Sequence, residues 1–231
     1  MVTVARKRII ILVIISVLIY LIIRFLYFQN AILTLPQSEY KRLPGIPVLV
    51  TVFYEALCGD SKHFIIKQLL PAFKKAAPLM DIQMVPYGKA QTFTNPDGTY
   101  RFDCQHGNVE CEGNMYHGCA IEAIEDAQER LNVIACMIRD NRNPKEAMHK
   151  CARQYGIENT DLIQKCFNSD HGAELLKLNG DATTALRPPV TFIPTITLDG
   201  NQNRQPAILK DLLGEVCKIF GDTEKAKEYC D

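Results

Sequence analysis

The first pattern in the chain is an unbroken apolar block. From Ile9 to Phe28 only Ser16 and Arg24 interrupt a run of Ile, Leu, Val, Phe and Tyr, and Arg6, Lys7 and Arg8 stand immediately before it. Twenty such residues match the ~20 that a helix needs to cross a bilayer. A basic cluster on the N-terminal side reads as a signal or signal anchor with residues 1–8 in the cytosol and the body in the lumen. Bulky residues in "YFQNAIL" give a signal peptidase no A-x-A site, which favours an uncleaved anchor. A buried core helix is the other reading of the block.

After residues 29–47, a linker that carries three prolines, the periodicity changes. "VLVTVFYE" (48–55) is a continuous β-branched and aromatic run, the pattern of a strand buried on both faces. Ile65, Ile66, Leu69, Leu70, Phe73 and Ala77 then recur at three- and four-residue intervals, which predicts a helix from Ser61 that Pro71 should kink. A second strand is expected in 80–90, and a hairpin in 92–104 turning at Asn95-Pro96-Asp97-Gly98. Helical patterns follow over 120–140, then from Asn143-Pro144 with Glu146 as capping acid to about Gly156. Further ones are a short piece from Thr160 carrying Cys166, and 172–186. Strand character returns at "VTFIPTITLDG" (190–200), on both sides of Pro194, and an amphipathic helix spans 206–220. The order is strand, kinked helix, strand, a helical insertion of about 104–186, then strand and helix. That is a split α/β domain over 48–231.

Charge adds little, since 26 basic and 26 acidic residues cancel and nothing favours a nucleic-acid partner. The cysteines change the picture more. They number nine, at 58, 104, 111, 119, 136, 151, 166, 217 and 230, so at least one thiol is unpaired within a monomer in a disulfide-permissive compartment. No N-x-S/T sequon is present.

Cys58 stands at the junction of the first strand and the first helix, heading Cys58-Gly59-Asp60-Ser61. A thiol there lies near unpaired N–H groups and the positive end of the helix dipole, and both favour the nucleophilic thiolate. Lys62 and His63 add positive charge, whereas the Asp60 carboxylate opposes ionisation. Ser61, three residues on, shares a helix face with Cys58 and can donate its hydroxyl to a thiolate, but it cannot close a disulfide. Pro194 is out of place in a central strand, so it marks either an edge or a cis bond turned towards a ligand. The segment "CQHGNVECEGNMYHGC" (104–119) could offer Cys104, Cys111, Cys119, His106 and His117 to zinc. Its C-x6-C-x7-C spacing does not match the common zinc patterns, and the compartment favours disulfides. The two histidines are expected at the surface or in loops, with a role as bases for Cys58 the sharper alternative.

That same segment fits C-Q-H-G-x-x-E-C-x-x-N-x-x-x-x-C at every fixed position, and so resembles the signature of the gamma-interferon-inducible lysosomal thiol reductase family. "VFYEALC", "KQLLPAF", "SDHGAELLKLN", "ALRPP" and "FIPTITLDG" resemble the family in the same order, from about Val48 to Cys230. The resemblance implies a thioredoxin-like fold with a helical, disulfide-bonded insertion, preceded here by the anchor helix. It implies reduction of protein disulfides in acidic endosomes or lysosomes. Cys58 matches the nucleophile, Pro194 the proline facing the active-site loop, expected cis, and the other eight cysteines the family's, which suggests four disulfides of open pairing. Ser61 departs from the C-x-x-C of fully active members, and Thr195 stands where better-known members carry an aromatic.

These readings converge on a thiol oxidoreductase of the secretory or endolysosomal lumen. It would attack disulfide-bonded or unfolded protein substrates through Cys58, with no bound cofactor, no metal, and glutathione or cysteine as external thiol. The second reading keeps the fold and loses turnover, leaving a lumenal binding or trapping protein.

Overall fold

The structure is a computed structural model and describes residues 12–25, 45–158 and 160–230. The chain separates into two units, Met1–Leu43 and Pro44–Asp231. In the first, residues 12–25 form helix α1. Fourteen residues of α-helix rise only ~21 Å, and among the described residues no helix is long and apolar enough to cross a membrane. The expected anchor ran from residue 9 to 28; residues 9–11 and 26–28 lie outside the described set, as do residues 1–8 and the linker up to residue 44.

The second unit is built on a three-stranded sheet of order β2-β1-β5. β1 (Val48–Tyr54) pairs in parallel with β2 (Met80–Pro86), Val48 opposite Met80, and antiparallel with β5 (Thr195–Leu198), Val50 opposite Leu198. As the middle strand, β1 has to be apolar on both faces, and all its residues except Leu49 are buried. The parallel crossover is helical from α2 (Gly59–Phe64) through a π turn (Ile65–Leu69) to α3 (Leu70–Ala76). Pro71 has no N–H to give the ladder, and the irregularity it requires takes the form of that π turn, which ends two residues earlier. The expected hairpin is β3 (Gln91–Thr94) against β4 (Tyr100–Asp103), closed by the Gly98 N–H on the Asn95 carbonyl at 2.9 Å.

The insertion is a cluster of five helices: α4 (Asn108–Ala123), α5 (Ala127–Met137), α6 (Pro144–Gln154), α7 (Thr160–Asn168) and α8 (Asp170–Thr184). The helix expected over 120–140 is two helices. The first begins at Asn108, and the break falls at Asp126, whose carboxylate accepts the Glu129 N–H at 2.8 Å in a capping pattern. Likewise 206–220 divides into α9 (Gln205–Lys210) and α10 (Leu212–Phe220) at the capping Asp211, and an additional α11 (Glu224–Cys230) follows. The strand expected over 190–200 keeps only Thr195–Leu198, because Pro194 cannot donate to a ladder.

Four disulfides join Cys104–Cys111, Cys119–Cys166, Cys136–Cys151 and Cys217–Cys230, and Cys58 is the free thiol. Cys119–Cys166 ties α4 to α7, Cys136–Cys151 ties α5 to α6, and Cys217–Cys230 holds α11 on α10. Pairing of these cysteines removes the thiolates that a zinc site in 104–119 would need.

Candidate active site

Cys58 is the N-cap of α2, half-buried, at the point where β1 leaves the sheet. Its carbonyl accepts the Lys62 N–H at 3.0 Å and starts the helix. Its thiol donates to the Ile193 carbonyl at 3.7 Å, and the Ile193–Pro194 bond is cis. Two residues 135 positions apart in sequence thus share one site, with β5 and β1 as the adjacent strands that carry them.

The backbone leading to Cys58 is held N–H by N–H. The Glu55 N–H donates to Ser61 Oγ at 3.3 Å, the Ala56 N–H to Asn114 Oδ1 at 2.8 Å, and the Leu57 N–H to Glu110 Oε2 at 3.3 Å. Glu110 and Asn114 are one turn apart on α4, so a single helix face holds successive peptide groups of the loop. Gly113 lies on that face too, where an added Cβ would come 2.9 Å from the Ala56 Cβ and 2.6 Å from Asn141 Nδ2. Only a glycine lets α4 approach the loop this closely.

Ser61 is fully buried, and its oxygen is engaged by the loop backbone. The hydroxyl expected to serve the Cys58 thiolate therefore also has a structural duty. Lys62 reaches away to donate to the Arg139 carbonyl at 2.5 Å, so its charge is tethered to the insertion. Asp60 and His63 are exposed.

The two histidines separate. His106 is 38% exposed at its side chain, and its Nδ1 lies 2.6 Å from Glu110 Oε2 and 3.6 Å from Glu55 Oε2. Both carboxylates are buried, at 1% and 0%. Burial pushes the Glu55 carboxyl above the usual range; the Lys89 N–H on Oε1 at 2.8 Å pulls it down, and the neighbouring Glu110 raises it further. His117 is not at the surface. It is fully buried in α4, with Nδ1 2.9 Å from the Tyr54 hydroxyl and Nε2 3.3 Å from Asn141 Nδ2, and burial lowers its pKa to about 3. It is a neutral structural link between β1 and the insertion.

Opposite the loop, Thr195 is buried and donates its hydroxyl to the Phe192 carbonyl at 2.7 Å. Gln205 mimics a strand on the free edge of β5, accepting the Ile196 N–H at 2.9 Å and donating to the Ile196 carbonyl. Residue patterns alone did not single out Glu55, Glu110, Asn114 or Gly113. Three of the four lie inside the 104–119 signature, and Glu55 lies in the "YEALC" stretch.

Chemically the site offers one unpaired cysteine sulfur at a helix start, an adjacent cis-proline turn, and no second thiol among the described residues. A family model described as "Gamma interferon inducible lysosomal thiol reductase (GILT)" matches residues 49–155. A gamma-interferon-inducible lysosomal thiol reductase of Mus musculus is 32% identical, over 79% of this chain and 71% of its own length. One from Carassius auratus is 35% identical, over 79% and 72%. Among solved structures, Chlamydia trachomatis DsbA superposes with a TM-score of 0.53 at 17% identity, covering 79% of this chain and 94% of that one. The fold is accordingly thioredoxin-like, with a helical, disulfide-bonded insertion.

Proposed function

The chain belongs to the gamma-interferon-inducible lysosomal thiol reductase family and is a thiol–disulfide oxidoreductase; from that premise we propose that it works through one cysteine. The Cys58 thiolate attacks one sulfur of a substrate disulfide. A Cys58–substrate disulfide forms, and the other substrate sulfur leaves as a thiolate that takes up a proton. The resolving step in a C-x-x-C enzyme belongs to the position that Ser61 fills. Here a second thiolate must come from outside: glutathione or free cysteine, giving net reduction, or another thiol of the substrate, giving isomerisation. In the first case the small thiolate bonds to the Cys58 sulfur and the substrate leaves as thiolate; a second small thiol then attacks that mixed disulfide, and glutathione disulfide or cystine departs with Cys58 as thiolate. In the second the incoming substrate sulfur bonds to the trapped substrate sulfur, and Cys58 leaves directly as thiolate.

The observation that carries this reading is the isolation of Cys58. It is the free cysteine, the remaining eight are paired, and the residue one helical turn on is a buried serine bonded to the loop backbone. Disulfide-bonded proteins are the substrates we infer, with no bound cofactor. Four disulfides and relatives named lysosomal support a lumenal location, and the apolar block at 9–28 with its basic flank supports attachment to the membrane.

The test is a pair of substitutions in the full chain, assayed by reduction of a disulfide-bonded protein with and without glutathione. Cys58→Ala abolishes exchange. Ser61→Cys makes turnover independent of the external thiol for one cycle, since the new sulfur can expel the substrate. Exchange persisting in Cys58→Ala removes the assignment of the nucleophile, and activity in neither the native chain nor Ser61→Cys points to a trapping protein.

A further inference from the structure

Three side chains from three separate elements converge beside the Cys58 loop; one of them, Glu110, also holds the Leu57 N–H, and none touches the Cys58 sulfur. Glu55 follows the end of β1, His106 lies in the loop after β4, and Glu110 is in the first turn of α4; one ligand atom from each falls within 4.8 Å of the others. We propose that Glu55, His106 and Glu110 form a binding site for a divalent transition-metal cation of the zinc class, coordinated by two carboxylate oxygens and one imidazole nitrogen.

Each carboxylate is already aimed. Glu55 Oε1 is fixed by the Lys89 N–H at 2.8 Å and Glu110 Oε1 by the His106 N–H at 3.0 Å, which turns the Oε2 atoms of both towards His106 Nδ1, that of Glu110 while also accepting the Leu57 N–H at 3.3 Å. Such backbone bonds on the non-ligating oxygen are how metal-binding carboxylates are held in register. Gly88, at φ +66°, completes the cradle, because a Cβ there would collide with the Glu55 side chain.

The cluster is also short of a cation. Glu55 is 1% exposed, yet its Oε2 accepts no hydrogen bond among the described residues and has His106 Nδ1 at 3.6 Å. Two buried carboxylates face one half-exposed imidazole, with Lys89 engaged through its backbone and its side chain exposed at the rim. Lys89 and His106 both act on Glu55 electrostatically, yet the two buried carboxylates share one imidazole between them, and a divalent cation would neutralise both.

The donor set selects the class. An imidazole with two carboxylates suits zinc and its neighbours, whereas calcium and magnesium take oxygen shells. Ligands ~2.0–2.2 Å from a tetrahedral zinc stand ~3.3 Å apart. The 3.6 Å separation of His106 from Glu55 is close to that, and the 2.6 Å separation from Glu110 has to widen by ~0.7 Å on binding. This donor set contains no sulfur and differs from the cysteine set that the disulfides remove. His106 leaves the site reachable from solvent.

The test is a calorimetric titration of Zn2+ into the detergent-solubilised full chain carrying Cys58→Ser, so that the free thiol contributes nothing. The expected result is one saturable equivalent, weakened at least ~10-fold by each of Glu55→Gln, Glu110→Gln and His106→Ala. Co2+ in the same protein should give visible d–d bands without sulfur-to-cobalt charge transfer. Near-UV circular dichroism checks that each variant is folded; if a glutamine variant is not, the half-exposed His106→Ala carries the comparison. Absence of saturable binding, or binding that folded His106→Ala leaves unchanged, overturns the proposal.

Discussion

His117 should make the fold less stable in acid, by an amount the structure allows to be worked out. The imidazole is fully buried between Tyr54 and Asn141, and its pKa falls from 6.5 to about 3 because the cation would lose its hydration. In the unfolded chain it titrates near the ordinary value. Between those two values the unfolded state binds a proton that the folded state refuses, so stability falls as pH drops from about 6.5 towards about 3. Between pH 7.5 and pH 5 the loss from this one group is ~2 kcal/mol, from the difference in proton binding of the two states. The measurement is urea unfolding of the native chain and of His117→Gln at both pH values, with the disulfides intact. The glutamine lowers stability at pH 7.5, because it replaces both ring contacts imperfectly, but it has no proton to gain. The acid-induced drop should therefore be ~2 kcal/mol smaller in the variant. Equal drops in the two proteins would refute the reasoning. For a protein proposed to work in an acidic lumen, the liability is offset by cross-links that do not titrate.

Other expectations concern the loop, the surface and the cross-links. Asn114→Ala leaves the buried Ala56 N–H without its acceptor, which should cost about 1–3 kcal/mol in unfolding experiments and slow alkylation of Cys58 in the folded state; unchanged stability would mean that water or another group replaces the amide. Glu215 is held to a pKa of about 2 by Arg204 and Lys218. Its contribution is present above the ordinary carboxylate value and is lost as pH falls through about 2, so Glu215→Gln should cost about 1 kcal/mol at neutral pH once screening of the exposed cations is allowed for. Removing Cys119–Cys166 as a double alanine variant opens a loop of 47-residue separation, and the chain-entropy estimate is ~4 kcal/mol. A loss under half of that would mean that helix packing alone holds α7 on α4.

How much of this was legible in the sequence follows the range of each interaction. β1 and the hairpin were readable because a buried central strand and an Asn-Pro-Asp-Gly turn are local patterns. Pro194 was legible as an anomaly, but the strand it was expected to interrupt begins only after it. The divisions at Asp126 and Asp211 were missed even though both are capping residues, since uninterrupted apolar spacing concealed them. At the site, the position of Cys58 after a strand carried the reading. The roles of Glu55, Glu110 and Asn114 could not be read, because a carboxylate or amide shows its partner only when α4 meets the loop, over 50 residues away. His117 was misplaced for the same reason: nothing local to "NMYHGC" says that Tyr54 and Asn141 close around it. Ser61 was read as a donor to the thiol, whereas its burial also gives it the Glu55 N–H to hold.

The central claim is that Cys58 attacks and an outside thiol releases. The most direct measurement is intact-mass spectrometry of the full chain reacting with a disulfide-bonded protein, before and after glutathione is added. The account predicts one adduct, at Cys58, that stays until glutathione arrives and then discharges, with turnover rising in proportion to glutathione. Repeated turnover with no external or substrate thiol present, or a Cys58 adduct that glutathione fails to discharge, would contradict it.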